Sequence, residues 1–156
     1  MNNSNTSLSI AGNTYRILIS GKDTGGAYAV IDMLVPPGGG PGPHEHPGIW
    51  ETFHVLEGEV EFTTGTTKHI ARKGEVMSIP LNGPVHFFRN RSNKLAHLVC
   101  TVAPAGLEAF FTEIGSPVAH GEFLAPQPPT PEEMEKIQAA AKKHGQVLYP
   151  PDSTNT

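Results

Sequence analysis

The chain has 156 residues, 17 of them glycine and 15 proline, and a formal net charge of −4. This length suits one hydrophobic core and is short for two independently stable domains. The eleven Lys and Arg residues are scattered, which excludes a basic stripe of the kind that binds nucleic acid. The first residues lack the features of a signal peptide, and no apolar run approaches the roughly 18 residues of a membrane helix. We therefore expect one cytoplasmic domain, with neither nucleic acid nor a membrane as its partner.

Short runs rich in β-branched and aromatic residues follow one another along the first two thirds of the chain. Each run is bounded by residue types that favour turns, such as Gly, Pro and Asn. The predicted strands are Tyr15–Ile19, Tyr28–Val35, Thr52–Leu56, Val60–Thr63, Val76–Ile79, Val85–Arg89 and His97–Val102. Strands at this spacing are typical of a sandwich or barrel. Cys100 is the only cysteine and lies within the last run, so we interpret it as buried and unreactive.

Two short helices are predicted after the strands. Helical spacing of apolar residues from Leu107 to Ile114 predicts the first, which should pack against the barrel. A capping box over Thr130–Glu133, with Pro at the first helical position, predicts a second helix on the surface that begins near Pro131. We divide the chain into a barrel of residues 1–120 and a C-terminal arm with a surface helix, residues 121–156, of the same domain. The tail from Pro150 to Thr156 is expected to be loose.

The residues that indicate chemistry are His44, His46, Glu51 and His86. His44 and His46 follow a Pro/Gly loop, and alternate residues of a strand face the same side, about 6.6 Å apart along it. Glu51 opens the next strand, and His86 lies 35 residues after it. Three imidazoles and one carboxylate suit Fe, Mn, Ni, Cu, Co or Zn, and they suit Ca²⁺ or Mg²⁺ poorly. The sequence therefore predicts a site for one divalent transition metal and leaves its identity open.

The spacing of these residues resembles the two-motif signature of the cupin superfamily. The first motif, G-x5-H-x-H-x4-E-x6-G, is matched by Gly38, His44, His46, Glu51 and Gly58. The second, G-x5-P-x-G-x2-H-x3-N, is matched by Gly74, Pro80, Gly83, His86 and Asn90, with one extra residue in the turn 80–83. The resemblance implies an all-β fold, a double-stranded β-helix or jelly-roll barrel with short C-terminal helices. It also implies that the four ligands lie inside the barrel.

Within the superfamily the chain is most similar to the small quercetin-dioxygenase-like cupins. That likeness implies that the three histidines hold the metal, and that Glu51 both coordinates it and accepts a proton from the substrate. The expected reaction is dioxygenase-like, on a small oxygen-rich molecule that is aromatic or enolisable. Two alternatives stay open: a metal-stabilised barrel that binds a small molecule without turnover, and a sugar isomerase-like cupin.

Four residues are candidates for the substrate pocket: Trp50, Phe53, Met77 and Phe88. Trp50 is predicted to lie on a loop beside Glu51, at the mouth of the cavity. Phe88 has the same strand parity as His86, so both side chains should face the same side. Core filling is nevertheless the default interpretation of the two phenylalanines and the methionine, because small barrels fill their interiors with side chains.

Two further polar residues lie near the cluster in the sequence and are not predicted as ligands. Glu45 should face the opposite side of the strand from its histidine neighbours. His54 is expected to pack or to lie at the rim.

Open sheet edges favour pairing between copies of a chain, and single-barrel cupins commonly form pairs. We therefore expect a homodimer, in which the Pro-rich segment Pro117–Pro131 could reach across to the partner.

Overall fold

The computed structural model describes residues 6–151 and contains two antiparallel sheets and two helices. In chain order the elements are β1 (Thr6–Ile10), β2 (Asn13–Ile19), β3 (Ala29–Val35), β4 (His44–Glu45), β5 (Trp50–Glu57), β6 (Glu59–Thr64), β7 (Thr67–Arg72), β8 (Val76–Ile79), β9 (His86–Arg89), β10 (Ala96–Ala103), α1 (Leu107–Ile114), β11 (Ser116–Ala119), α2 (Pro131–Lys143) and β12 (Val147–Leu148). The larger sheet has the order β11-β1-β2-β3-β10-β5-β8, and the smaller one has the order β12-β4-β9-β6-β7.

The core lies between the two sheets, because strands of both alternate buried apolar residues with more exposed ones. In β10, for example, Leu98, Cys100 and Val102 are fully buried while their neighbours are partly exposed. One continuous cluster joins Ile31 of the larger sheet to Phe62 of the smaller one. The predicted all-β fold is confirmed, as are the seven predicted strands, each within about two residues of its bounds.

Apart from β4, where the His44 and His46 pair implied a strand, four strands were not predicted, for reasons that the structure explains. Five of the six residues of β7 are exposed, so this edge strand lacks the apolar alternation that marks a half-buried strand. β11 contains Pro117, which a sheet tolerates at its edge, where β11 lies. β1 is rich in serine, and β12 has two residues. Their placement depends on pairing with distant segments more than on local composition.

Both predicted helices are present, and the second begins as its capping box predicts. The Thr130 side chain accepts a hydrogen bond from the Glu133 backbone N–H, and the Glu133 carboxylate accepts one from the Thr130 N–H. α2 is largely exposed, as predicted, but Ala140 and Ala141 are buried. After the helix, Gly145 adopts a φ of 71° and turns the chain towards β12.

The segment after α1 packs against the N-terminal strands of the same chain. β11 pairs with β1, and the Thr14 hydroxyl donates a hydrogen bond to the Glu122 carbonyl oxygen.

The homodimer and the division of the chain at residue 120 stay predictions. Of the predicted loose tail, residues 152–156 lie outside the described residues. Neither α1 nor α2 has the length and apolar character to cross a membrane, judged over residues 6–151.

Candidate metal centre

The four predicted ligands come from both sheets and converge in the space between them. His44 lies on β4 and His86 begins β9, both in the smaller sheet, and His46 directly follows β4. Glu51 lies on β5 of the larger sheet. Glu51 is 1% exposed, His86 2% and His46 3%, whereas His44 keeps partial exposure. The approach to the cluster is therefore from the side of His44.

The distances within the cluster fit ligands of a single ion. Glu51 Oε2 lies 2.8 Å from His46 Nε2 and 3.3 Å from His86 Nε2, and the two Nε2 atoms are 3.0 Å apart. One ligand atom from each of the four residues lies within 4.8 Å of all the others. Two ligands about 2.1 Å from one ion and at right angles to each other are about 3.0 Å apart. The cluster could therefore bind a metal.

Backbone carbonyl groups orient two of the imidazoles. His44 Nδ1 lies 2.9 Å from the Gly42 oxygen, and His86 Nδ1 lies 2.9 Å from the Pro84 oxygen. A neutral imidazole that donates from Nδ1 has its free lone pair on Nε2, which is the arrangement that metal-binding histidines commonly show. His46 Nδ1 is buried and has no hydrogen-bond partner within residues 6–151. The donor set thus fits a transition metal bound through Nε2 atoms and a carboxylate oxygen.

Electrostatic interactions within the cluster favour the protonation states that a bound cation requires at Glu51 and His44 and oppose them at His46. Burial alone would raise the pKa of Glu51, but hydrogen bonds from His46 and His86 outweigh it and hold the pKa well below its ordinary value. Burial, together with the positive charge that His86 can carry, lowers the pKa of His44 to about 4. Burial opposes the charged form of His46, yet the Glu51 carboxylate raises the pKa of that imidazole. A carboxylate and a neutral His44 are the protonation states that metal binding requires.

The glycine-rich loop before His44 is held against the strand that carries His86. Gly40 has a φ of 136°, and a Cβ atom there would lie 2.0 Å from the Phe88 carbonyl oxygen. The Arg89 guanidinium donates to the Gly38 and Gly40 carbonyl oxygens at 3.2 and 3.1 Å. Two ligand-bearing segments are therefore tied to each other, and glycine is required at residue 40 because no larger residue fits.

The extra residue in the second motif is accommodated in its turn. Asn82 adopts a φ of 55°, and its backbone N–H donates to the Pro47 carbonyl oxygen at 2.9 Å. The turn closes through a hydrogen bond from the Gly83 N–H to the Pro80 oxygen. The turn that holds the extra residue thus contacts the segment after His46, and His86 stays within the cluster.

Two residues that the sequence did not assign to the site lie beside Glu51. Cys100 Sγ donates a hydrogen bond to Glu51 Oε1 at 3.2 Å. Burial, followed by the Glu51 charge, raises the pKa of Cys100 well above its usual value, so it stays a thiol. Tyr15 is also buried; burial raises the pKa of its phenol, and Cys100 and Glu51 add to the rise. The burial of Cys100 was predicted from its strand, whereas its contact requires knowing that β10 neighbours β5.

The four candidate pocket residues lie in two different environments. Phe53 and Phe88 are each 2% exposed, and their rings pack against each other and against Phe62 at centroid distances of 5.1 to 5.4 Å. Met77 is opposite Phe53 on β8 and packs against the same core. Core filling therefore accounts for these three, and their contact with a substrate stays a prediction.

Trp50 corrects one expectation about the site. It was predicted on a loop, but it is the first residue of β5 and is 47% exposed. Because successive strand residues face opposite sides, Trp50 points away from the side that Glu51 faces. Its indole N–H donates to the Ser78 hydroxyl at 2.9 Å on the neighbouring strand. A substrate contact by Trp50 stays a prediction that this orientation does not favour.

The polar neighbours of the cluster lie outside it. Glu45 accepts a hydrogen bond from the Tyr149 hydroxyl at 2.9 Å, and His54 is exposed on β5.

A groove of about 580 Å³ lies between the Pro47–Gly48 turn and the C-terminal segment. None of the four clustered side chains lines this groove.

Comparison with known proteins agrees with the fold and the motifs. Residues 31–102 match the family model described as the cupin domain. Quercetin 2,3-dioxygenase of Bacillus subtilis (strain 168) is 30% identical over 103 residues; these are 66% of this chain, which spans 30% of that relative's length. Ectoine synthase from P. lautus superposes with a TM-score of 0.56 and 21% identity, covering 78% of this chain and 89% of that one. The polyketide cyclase RemF from Streptomyces resistomycificus superposes with a TM-score of 0.53 and 25% identity, covering 62% of this chain and 68% of that one. The two facing sheets are thus a double-stranded β-helix, the fold of the cupin domain that residues 31–102 match.

Proposed function

We propose that this protein is a metal-dependent oxygenase that acts on a small, oxygen-rich molecule of aromatic or enolisable character. The observation that carries the proposal is the convergence of His44, His46, Glu51 and His86, with ligand atoms within 4.8 Å of one another in a buried position. The likeness to a quercetin 2,3-dioxygenase over 103 residues supports the oxygenase class. The likeness in fold to a synthase and a cyclase does not by itself select a reaction.

Each residue of the centre has a distinct task in this proposal. A divalent transition metal, when bound, supplies Lewis acidity and, if redox-active, one-electron chemistry towards dioxygen. The three histidines present Nε2 lone pairs to it, two of them oriented by backbone carbonyl groups. Glu51 presents Oε2 to the cluster and keeps Oε1 on the Cys100 thiol. As the buried carboxylate of the cluster, Glu51 is the group that would accept the proton of an enolisable substrate.

The surroundings of the centre favour an aromatic or enolisable molecule over a sugar. Phe53, Phe62 and Phe88 form a packed aromatic group on neighbouring inward positions of the barrel, which excludes water from that side. A sugar requires several hydrogen-bonding groups on the walls of its site. The oxygenase is therefore preferred to the isomerase, and a metal-stabilised binding protein without turnover is the alternative that experiment must separate.

The test starts with elemental analysis of the purified protein, followed by loading with Fe²⁺, Mn²⁺ or Ni²⁺. Anaerobic addition of a flavonol or a diketone is expected to change the absorption of the loaded protein, and admission of air should start oxygen consumption. Glu51→Gln should abolish turnover, while His54→Gln, an exposed histidine of the same strand, should not. Absence of turnover over a broad panel of such compounds, with normal metal binding, would favour the binding protein.

A further inference from the structure

The strand that carries His44 is short and has few partners of its own. β4 consists of His44 and Glu45, and it lies between the glycine-rich loop and Pro47. On one side it pairs with β9 through a single pair, His44 opposite His86. On its other side it pairs with β12, where Leu148 lies opposite His44 and Val147 opposite Glu45. The C-terminal segment therefore supplies most of the strand pairing of β4 within residues 6–151.

The C-terminal segment contacts β4 from both faces of the sheet. Leu148 packs against the hydrophobic core, on the face to which its partner His44 belongs. Tyr149 donates a hydrogen bond from its hydroxyl to Glu45 Oε1 at 2.9 Å and another from its backbone N–H to the Pro43 carbonyl oxygen at 3.0 Å. The residues immediately before and after His44 are thus both bonded to Tyr149.

This segment is itself anchored to the body of the protein. Ala140 and Ala141 of α2 are buried, and the Gln146 backbone N–H donates to the Ala141 oxygen at 2.8 Å. Lys143 and His144, at the end of α2, contact the Glu113 carboxylate of α1 at 3.0 and 2.7 Å. β12 is therefore held in place by a helix whose position depends on packing rather than on β4.

We infer that Leu148 and Tyr149 are positioning residues for His44, so that a segment outside the matched cupin domain completes the metal centre. The inference rests on the proposed function in that it takes His44 as a metal ligand. His44 is the cluster residue with partial exposure, so its imidazole depends most on the strand beneath it. Without β12, β4 would keep one pair with β9, which is too little to fix a ligand within a fraction of an ångström.

The first experiment needs no metal. Amide hydrogen exchange of the metal-free, full-length protein is measured on the segment that contains β4. Tyr149→Phe and Leu148→Ala should speed the exchange of this segment, because both changes weaken the contacts between β12 and β4. Tyr28→Phe, an exposed tyrosine of the loop before β3, is the matched control and should leave the rate unchanged. Equal rates in all four proteins would overturn the inference.

The second experiment titrates the same proteins with Co²⁺. Tyr149→Phe is expected to raise the dissociation constant about threefold to tenfold, the effect of one lost hydrogen bond. Glu45→Ala should have a similar effect, and the double variant Glu45→Ala/Tyr149→Phe should be no weaker than the weaker single variant. Glu45→Gln keeps an acceptor for the phenol and should stay within about twofold of the wild-type value.

The outcomes separate the two proposals. A wild-type protein that binds no Co²⁺ refutes the metal centre, and the exchange rates then still decide whether β12 holds β4. A wild-type protein that binds Co²⁺, together with additive effects of the Glu45 and Tyr149 changes or no effect of Tyr149→Phe, refutes the positioning role alone. Thermal unfolding of the metal-free variants confirms that each is folded at the temperature of the titration.

Discussion

Replacing Glu51 by Gln tests the candidate centre most directly. Glu51 is 1% exposed and contributes the negative charge of a cluster whose other members are imidazoles. Glutamine has the same size, so the packing is kept, but its neutral amide is a poorer ligand for a cation. Loss of a residue that merely supports a ligand costs about 10- to 100-fold in metal affinity. Loss of this carboxylate should therefore cost about 100-fold or more.

The size of the effect on stability follows from mass action. At a metal concentration 100 times the wild-type dissociation constant, binding stabilises the folded protein by about 2.7 kcal/mol. After a 100-fold loss of affinity, the same concentration contributes about 0.4 kcal/mol. Since 1 kcal/mol corresponds to about 2–4 °C in a domain of this size, the metal should raise the wild-type Tm by about 5–11 °C. The Glu51→Gln variant should gain no more than about 2 °C.

The assay is thermal unfolding with and without Zn²⁺ or Co²⁺, after removal of metal by a chelator. Glu45→Gln is the matched control, since Glu45 lies between two of the histidines but outside the cluster. Its Tm should rise with metal as the wild-type Tm does. A rise in the Glu51→Gln protein equal to that of wild type would show that Glu51 is not a ligand, and the account of the site would fail.

Three further predictions follow from the geometry. Cys100→Ala should lower the free energy of unfolding by about 1–3 kcal/mol, because Glu51 Oε1 loses its hydrogen-bond donor. Cys100→Ser keeps a donor and should lower it less. Equal losses for the two variants in urea denaturation would contradict this. Phe62→Ala should cost about 3–5 kcal/mol, since its ring is 1% exposed within the aromatic group, and a loss below about 1 kcal/mol would show that the group is not core. In the metal-free protein the pKa of His44 is lowered to about 4 from 6.5, so the unfolded chain binds a proton that the folded chain refuses. Stability should therefore fall as the pH drops from about 6.5 towards 4. This dependence, measured by unfolding at a series of pH values, should be weaker in His44→Gln. His46, whose pKa is raised, acts in the opposite sense in the wild-type protein and in the variant.

Much of the fold could be predicted because local signals agree with the tertiary structure. In β5, Glu51, Phe53 and Val55 alternate with more exposed residues, and the period of two is legible in the sequence. The capping box of α2 places its first turn without reference to the rest of the chain. The four predicted ligands were found for a related reason, since the motif spacing reflects strands that return to the same point of the barrel.

The rest depended on contacts between distant segments. Trp50 was predicted on a loop because Pro47 and Gly48 precede it, yet β5 begins there through pairing with β10. The role of Cys100 beside Glu51 depends on which strands are neighbours, and the sequence around Cys100 carries no sign of it. Val147–Leu148 is too short a run to be predicted as a strand. It becomes one because the end of α2 directs it to β4.

The pairing of β12 with β4 also has a consequence for how the protein matures. Val147 is synthesised about 100 residues after its partner Glu45, which at roughly 5–20 residues per second is about 5–20 s later. Throughout that interval the nascent β4 presents an open edge, and a pairing of such long sequence separation is slow to form. The histidine on that strand is consequently fixed late in folding, and metal should load only after Val147 and Leu148 have been synthesised and paired with β4.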